Sequence, residues 1–130
     1  MESQEKKHLG FIVDVVRGTA EPCHFRSVLA DYYRLLRCEL IDICEVMIEG
    51  RRFDFIVDDE GLLKGPAKPS AFSSDQKPLF AGSILVCHND PETGQEIGLT
   101  NDEISLLLSK VVQVSTGDGE KYKGLIDVKM

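Results

Sequence analysis

Residues 40–60, LIDICEVMIEGRRFDFIVDDE, carry the clearest structural pattern in the chain. Residues 40–48 are rich in branched apolar side chains, which favour a strand, and Glu49-Gly50 supplies the residues of a turn. Residues 53–57 then place apolar side chains on one face and charged ones on the other, as a returning strand does. The stretch therefore predicts a β-hairpin that ends in three consecutive acids.

The residues before this hairpin predict one strand and one helix. Residues 9–16 are apolar except for Asp14, which favours a buried strand. Pro22 suits the first turn of a helix, where its missing N–H is no loss. Apolar residues then recur at helical spacing, so we predict an amphipathic helix over residues 22–37. Its apolar stripe comprises Phe25, Val28, Leu29, Tyr32 and Leu36.

The residues after the hairpin predict a loop, a strand and a second helix. Residues 64–78 contain three prolines and several serines, which is typical of a loop. Residues 79–87 read as a strand with Gly82 at a bulge or a close backbone approach. Thr100 and Glu103 fit a capping box at the start of the second helix. The stripe expected to be buried on that helix comprises Ile104, Leu107, Leu108 and Val111.

These elements predict an α+β fold, in the order β-α-β-β-loop-β-α followed by a β tail. We expect a small, mainly antiparallel sheet with the two amphipathic helices on one face. The 130 residues suit a single domain. Within it we expect a disordered tail at residues 1–8, a core at 9–111, and a hairpin or arm at 112–130.

Charge and cysteine usage exclude several classes of protein. The net charge of −7 is carried by residues 53–103, which hold ten acidic and three basic side chains. Such a field repels phosphate backbones, so we expect no direct binding of nucleic acid. No apolar run approaches the ~18 residues of a membrane span, and no secretion signal is evident. The four cysteines show no CxxC spacing, which favours reduced thiols and a cytoplasmic protein.

Three short motifs in residues 25–108 resemble a known family. They are VDDEGLLKG at residues 57–65, AGSILVC at 81–87, and LTNDE at 99–103. In this order, after an amphipathic helix, they are similar to small bacterial, phage and plasmid proteins classed as domain of unknown function 3846. The resemblance implies a setting in mobile genetic elements, and the family offers no catalytic residues that could be assigned to this chain. This sequence departs from the family in residues 64–72, KGPAKPSAF, where members often have a Pro-Asn segment.

The acidic residues are the first candidate site. Three carboxylates on one turn could meet a basic protein or a hard cation, although turn preference alone also explains the composition. We favour a non-enzymatic accessory protein that binds a basic protein partner through an acidic surface, one version being a nucleic-acid mimic. The predicted partner-binding residues are Asp58, Asp59, Glu60, Asp90, Glu92 and Glu96.

The alternative is a small-ligand- or phosphate-binding domain, or a small enzyme, with its site at the 64–78 loop. Its predicted ligand-binding residues are Arg51, Arg52, Lys64 and Lys68. A loop of this length is often functional. However, the chain has no P-loop, GxGxxG or GxSxG motif, and a solvated loop explains the composition better.

Cysteine and histidine occur side by side at Cys23-His24 and Cys87-His88. A zinc site is disfavoured because adjacent Cys and His rarely ligate one ion and neither pair has finger spacing. A Cys-His hydrolase would need a local nucleophile signature, which the sequence lacks. We therefore predict no catalytic residue, no metal site and no cofactor.

Overall fold

We describe the fold from a computed structural model, which covers residues 6–60 and 68–130. Within these ranges the helices are α1 (Leu29–Leu36) and α2 (Asn101–Ser109). The strands are β1 (Lys7–Asp14), β2 (Thr19–Arg26), β3 (Ile41–Ile48), β4 (Arg51–Asp58), β5 (Pro69–Phe72), β6 (Pro78–Ala81), β7 (Ile84–Asn89), β8 (Glu96–Ile97), β9 (Val111–Ser115), β10 (Lys121–Leu125) and β11 (Val128–Lys129). Mainly antiparallel strands with two helices confirm the α+β class.

The predicted hairpin is confirmed and lies toward one side of the larger sheet. β3 and β4 pair antiparallel from Ile41 opposite Asp58 to Ile48 opposite Arg51. Glu49 and Gly50 both have positive φ, 52° and 76°, as the two central residues of a type I′ hairpin turn require. The larger sheet has the order β11-β3-β4-β7-β1-β2, with the short β8 pairing with the end of β7.

A smaller sheet, in the order β6-β5-β10-β9, uses residues that we expected to be a loop and a tail. Part of the 64–78 loop forms β5 and the start of β6, and β5 pairs in parallel with β10 near the end of the chain. The strand expected at 79–87 is two strands in different sheets, separated at Gly82, whose φ is 87°. The core also extends beyond residue 111, since Leu125 and Val128 are fully buried.

The helices lie on opposite faces of the larger sheet, so the expectation of one face was wrong. Side chains alternate along β1, which places Phe11 and Ile12 in separate apolar clusters. α1 packs in the cluster of Ile12, whereas α2 and the smaller sheet pack in the cluster of Phe11. The fold is thus layered, with α1 on one side of the larger sheet and the smaller sheet with α2 on the other.

The first helix is much shorter than the predicted range of residues 22–37. Residues 19–26 form β2, which pairs with β1 along its whole length, and α1 begins only at Leu29. Pro22 lies opposite Phe11 on the outermost strand of the sheet, where its missing N–H disrupts no further pairing. Long-range pairing with β1 has overridden the local helical spacing.

The second helix begins where the sequence predicts. The Thr100 side chain accepts a hydrogen bond from the backbone N–H of Glu103, and the Glu103 carboxylate accepts one from the N–H of Thr100. Ile104 and Leu107 are buried, but Leu108 is about half exposed and Val111 belongs to β9. The predicted apolar stripe is therefore narrower than expected. Among the described residues, neither helix has the length and apolar composition needed to cross a bilayer.

Candidate functional site

The acidic turn that ends β4 is built by local hydrogen bonds. The Asp58 carboxylate accepts a hydrogen bond of 2.9 Å from the backbone N–H of Glu60. The N–H of Asp59 donates to the carbonyl of Leu40, at 3.0 Å, and so extends the hairpin by one pair. These bonds are the turn chemistry that Asp provides, and they leave the Asp59 side chain exposed. The residues after Glu60, from 61 to 67, lie outside the described residues.

A groove of about 220 Å³ lies beside this turn, between the β3–β4 hairpin and β6. Its hairpin wall is mostly acidic and its β6 wall is apolar. The lining residues are Asp42, Cys44, Val57, Asp58, Asp59, Leu79, Phe80 and Ala81. The ring of Phe80 meets the core ring of Phe55 edge to face, with centroids 5.5 Å apart. The apolar wall is therefore anchored in the core.

The Cys44 thiol lies in the groove next to acidic side chains, which affect its pKa. Its sulfur lies 3.8 Å from the Asp42 carboxylate. Partial burial, followed by the charges of Asp42 and Asp59, raises the pKa of the Cys44 thiol. The charges of Asp42 and Asp59, which line the groove, are what favour a cation over an anion there. Asp42 and Cys44 were missed in the sequence, although the hairpin register, with Asp42 opposite Val57, places them beside the acidic turn.

The second acidic stretch lies at the other end of the sheet. β7 runs antiparallel to β4 with Ile84 opposite Val57, and Asp90 follows six residues later, roughly 20 Å away at about 3.4 Å per residue. Asp90 accepts a hydrogen bond from the backbone N–H of Glu92, whose side chain is exposed. The two stretches therefore do not form one continuous acidic surface.

Glu96 is not a surface residue, which corrects its assignment to the partner-binding set. It is only 8% exposed and lies beneath α1. Its carboxylate accepts a hydrogen bond of 2.7 Å from the Tyr32 hydroxyl and one of 3.3 Å from the Asn89 amide. The backbone N–H of Glu96 donates to the Ser27 hydroxyl. No sequence signal links these four residues, because the network joins three separate segments.

The predicted basic site is not assembled by the described residues. Arg52 forms ion pairs with Glu45 and Asp54, at 3.4 and 3.5 Å. Lys68 pairs with Glu120, in the turn between β9 and β10. Arg51 instead borders a shallow surface hollow together with Glu49 and Lys110, among others. Among the described residues, these three cations therefore have separate environments, and Lys64 lies outside the described residues.

The two Cys-His pairs are split by strand geometry. Cys23 and Cys87 each belong to the apolar cluster under α1 and lie in β2 and β7, on either side of β1. Burial raises the pKa of the Cys23 thiol to about 12 and also raises that of Cys87, the opposite of what a nucleophile needs. His88 lies on the other face of the sheet, stacked on Phe53 and hydrogen-bonded to Glu103.

Within residues 6–60 and 68–130, no group of three or more Cys, His, Asp or Glu side chains is arranged to hold a metal ion. The carboxylates of Asp42, Asp58 and Asp59 line one groove without converging on a point. The arrangement fits an extended or branched cationic group better than a single ion.

The family named by the sequence motifs is confirmed by comparison with protein-family models. The model described as "Domain of unknown function (DUF3846)" matches residues 11–112 of this 130-residue chain. The chain belongs to this family. Neither the curated proteins nor the solved structures contain a match.

Proposed function

We propose that this DUF3846 protein is a non-enzymatic interaction protein that binds a positively charged segment of a protein partner. The observation that carries the proposal is the groove beside β4, whose hairpin wall presents Asp42, Asp58 and Asp59 and whose opposite wall is apolar. Lysine and arginine side chains match such a groove, because their stems are apolar and their heads are cationic.

The charge of the chain supports the same partner chemistry. Residues 53–103 alone carry a net charge of −7, so a basic partner would be attracted at long range. Of the acidic residues predicted for this role, we retain Asp58 and Asp59 at the groove and replace the buried Glu96 by Asp42. Glu60 instead borders a separate hollow beside Arg37 and Glu39. Asp90 and Glu92 lie too far away to contact the same short segment.

The ligand-binding alternative has less support. Of the cations assigned to it, Arg52 and Lys68 form ion pairs within the chain, and Lys68 also lies over the Tyr122 ring. A phosphate would have to displace these partners. It would also have to approach a strongly acidic chain, at a cost in electrostatic free energy.

The test is affinity capture from a lysate of a bacterium that carries the gene, at low and at moderate salt. The groove variant is Asp42→Asn/Asp58→Asn/Asp59→Asn. The matched control is Asp75→Asn/Asp90→Asn/Glu92→Gln, which removes the same number of charges from exposed or partly exposed positions elsewhere. Asn retains the acceptor oxygen at each turn, so both variants should fold.

We expect mass spectrometry to identify a basic protein that wild type and the control capture and the groove variant loses. Capture should weaken as salt rises, because the contacts are exposed ion pairs. Equal capture by all three chains would overturn the proposal. A retained small molecule that depends on Arg51 or Lys68 would favour the ligand-binding alternative instead.

A further inference from the structure

The outer edge of β3 is mostly unpaired. β11 covers only Met47 and Ile48, and among the described residues no strand pairs with residues 41–46 on that side. An exposed strand edge presents backbone N–H and C=O groups that another chain can pair with. Two apolar side chains are also exposed along β3, Ile43 at 43% and Met47 at 36%.

The hydrogen bonds of the hairpin show which backbone groups face outward. The N–H of Asp59 bonds to the carbonyl of Leu40, so these opposed residues form a hydrogen-bonded pair. In an antiparallel ladder such pairs alternate with non-bonded ones. Asp42 and Cys44 therefore bond to β4, whereas Ile43 and Glu45 direct their backbone groups away from it.

The outward N–H of Ile43 is bonded to the chain's own carboxylate. The Asp42 side chain accepts this N–H at 2.9 Å. A strand added at the edge would supply a carbonyl to the same N–H and release the Asp42 carboxylate. The released carboxylate lies at the mouth of the groove, where it can pair with a cation on the added strand.

The side chains of β3 specify an alternating partner. Asp42 and Cys44 face the acidic groove. Ile43 and Met47 point to the other face of the sheet, because successive side chains alternate. A strand added here meets acidic side chains on the groove face. On the other face it meets the exposed Ile43 and also Glu45, which is paired with Arg52. Its own residues should therefore alternate between basic and apolar.

The other outer strands of the two sheets are less suited to this role. β2 contains Pro22 and β6 begins with Pro78, and proline removes a donor from a strand edge. β9 has the sequence VVQVS and offers no acidic side chain to a basic segment. The edge of β3 alone combines length, exposed apolar side chains and carboxylates within the part of the chain that the structure describes.

We propose that a basic segment of the partner binds as an added antiparallel strand along residues 41–46 of β3, in line with β11. This proposal rests on the proposed function and specifies how the partner is held. The partner segment is extended, with lysine or arginine at every second position facing the groove and apolar residues on the face of Ile43. Backbone hydrogen bonds to the Ile43 and Glu45 edge supply part of the affinity.

The test uses the full chain and synthetic heptapeptides of alternating lysine and valine, with lysine at both ends. In the antiparallel register the valines lie opposite Ile43 and Glu45 and direct their N–H groups toward β3. One derivative carries N-methyl groups on its three valines, and a second carries them on three of its lysines. Binding is measured from NMR shifts and hydrogen exchange of the β3 amides. The perturbation is in the peptide, so the fold of the chain is unchanged.

We expect the parent peptide to bind and to slow exchange of the Ile43 and Glu45 amides. Methylation of the valines should weaken binding about a hundredfold, since it removes several backbone hydrogen bonds, whereas methylation of the lysines should change it by less than about threefold. Equal binding of both derivatives would overturn strand addition and leave the acidic groove as the binding site.

A chain that captures a groove-dependent partner but binds no alternating peptide would likewise overturn strand addition alone. A chain that binds neither a basic protein nor a basic peptide would overturn the proposed function as well. A block peptide, with all lysines before all valines, has the same charge and controls for attraction without pairing. Block and alternating peptides that bind equally well would also contradict the proposal.

Discussion

The two acidic stretches, residues 58–60 and 90–96, lie at opposite ends of β4 and β7 and have different environments. Asp59 is exposed beside the groove, whereas Glu96 is buried beneath α1 and hydrogen-bonded to Tyr32 and Asn89. Similar strings of acids and turn residues thus produce a charged surface in one place and an internal polar network in the other. Carboxylates differ in function according to whether water or the protein solvates them.

The buried carboxylate should contribute most to stability. Glu96→Ala removes the 2.7 Å acceptor of the Tyr32 hydroxyl beneath α1 and leaves that group only the longer, 3.3 Å hydrogen bond to the Ser27 hydroxyl. We expect the free energy of unfolding to fall by about 2–3 kcal/mol, measured by urea denaturation. Asp59→Ala, at the exposed turn, is the control and should change it by less than about 0.5 kcal/mol. Similar losses of unfolding free energy in both variants would show that the buried and the exposed carboxylate contribute equally to stability.

A buried acid with a cationic partner should depend on pH in a defined direction. The hydrogen bond from Arg26 to the Asp31 carboxylate, 2.7 Å at its shortest, holds the pKa of Asp31 below its usual value. On acidification the Asp31 carboxylate is therefore protonated at a higher pH in the unfolded chain than in the folded protein. The contribution of Asp31 is present above about pH 4 and is lost as the pH falls through the lowered pKa of the folded state.

We expect Asp31→Asn to be less stable than wild type at pH 7, and the difference to narrow between about pH 5 and pH 2. Urea denaturation at steps of pH measures both curves, and Asp59→Asn serves as the exposed control. If the two stability curves stay parallel across this range, the Asp31 carboxylate does not cause the pH dependence of the free energy of unfolding.

The smallest expected effect is on the thiol in the groove. Asp42 and Asp59 both raise the pKa of Cys44, after the effect of burial. Asp42→Asn/Asp59→Asn should therefore increase the thiolate fraction and speed alkylation of Cys44 about two- to threefold at pH 8. Mass spectrometry of the labelled peptides measures the rate, and the more deeply buried Cys23 is the internal control. An unchanged Cys44 rate would show that the two carboxylates do not act on the groove.

Short-range patterns predicted the elements whose partners are close in sequence. The hairpin of β3 and β4 follows from its apolar residues and the Glu49-Gly50 turn, and the capping box of α2 lies within four residues. The same patterns failed at residues 22–26, which were predicted to begin the first helix and instead form part of β2. They also failed at β5, whose partner β10 lies near the end of the chain.

The candidate site divides in the same way. The acidic turn was visible because its residues are consecutive, and Asp42 could have been found from the hairpin register. The apolar wall of Leu79 and Phe80 could not, because β6 belongs to the other sheet. The unpaired edge of β3 was equally hidden, since it depends on how far β11 extends along it.

Local sequence is thus sufficient for the turns, the helix cap, the hairpin and the acidic character of residues 53–103. These depend on backbone conformation and composition, which neighbouring residues set. Long-range packing was needed to place the helices on opposite faces, to bury Glu96, and to join the acidic turn to an apolar wall. Burial and strand pairing depend on groups that are distant along the chain, and only the folded arrangement brings those groups into contact.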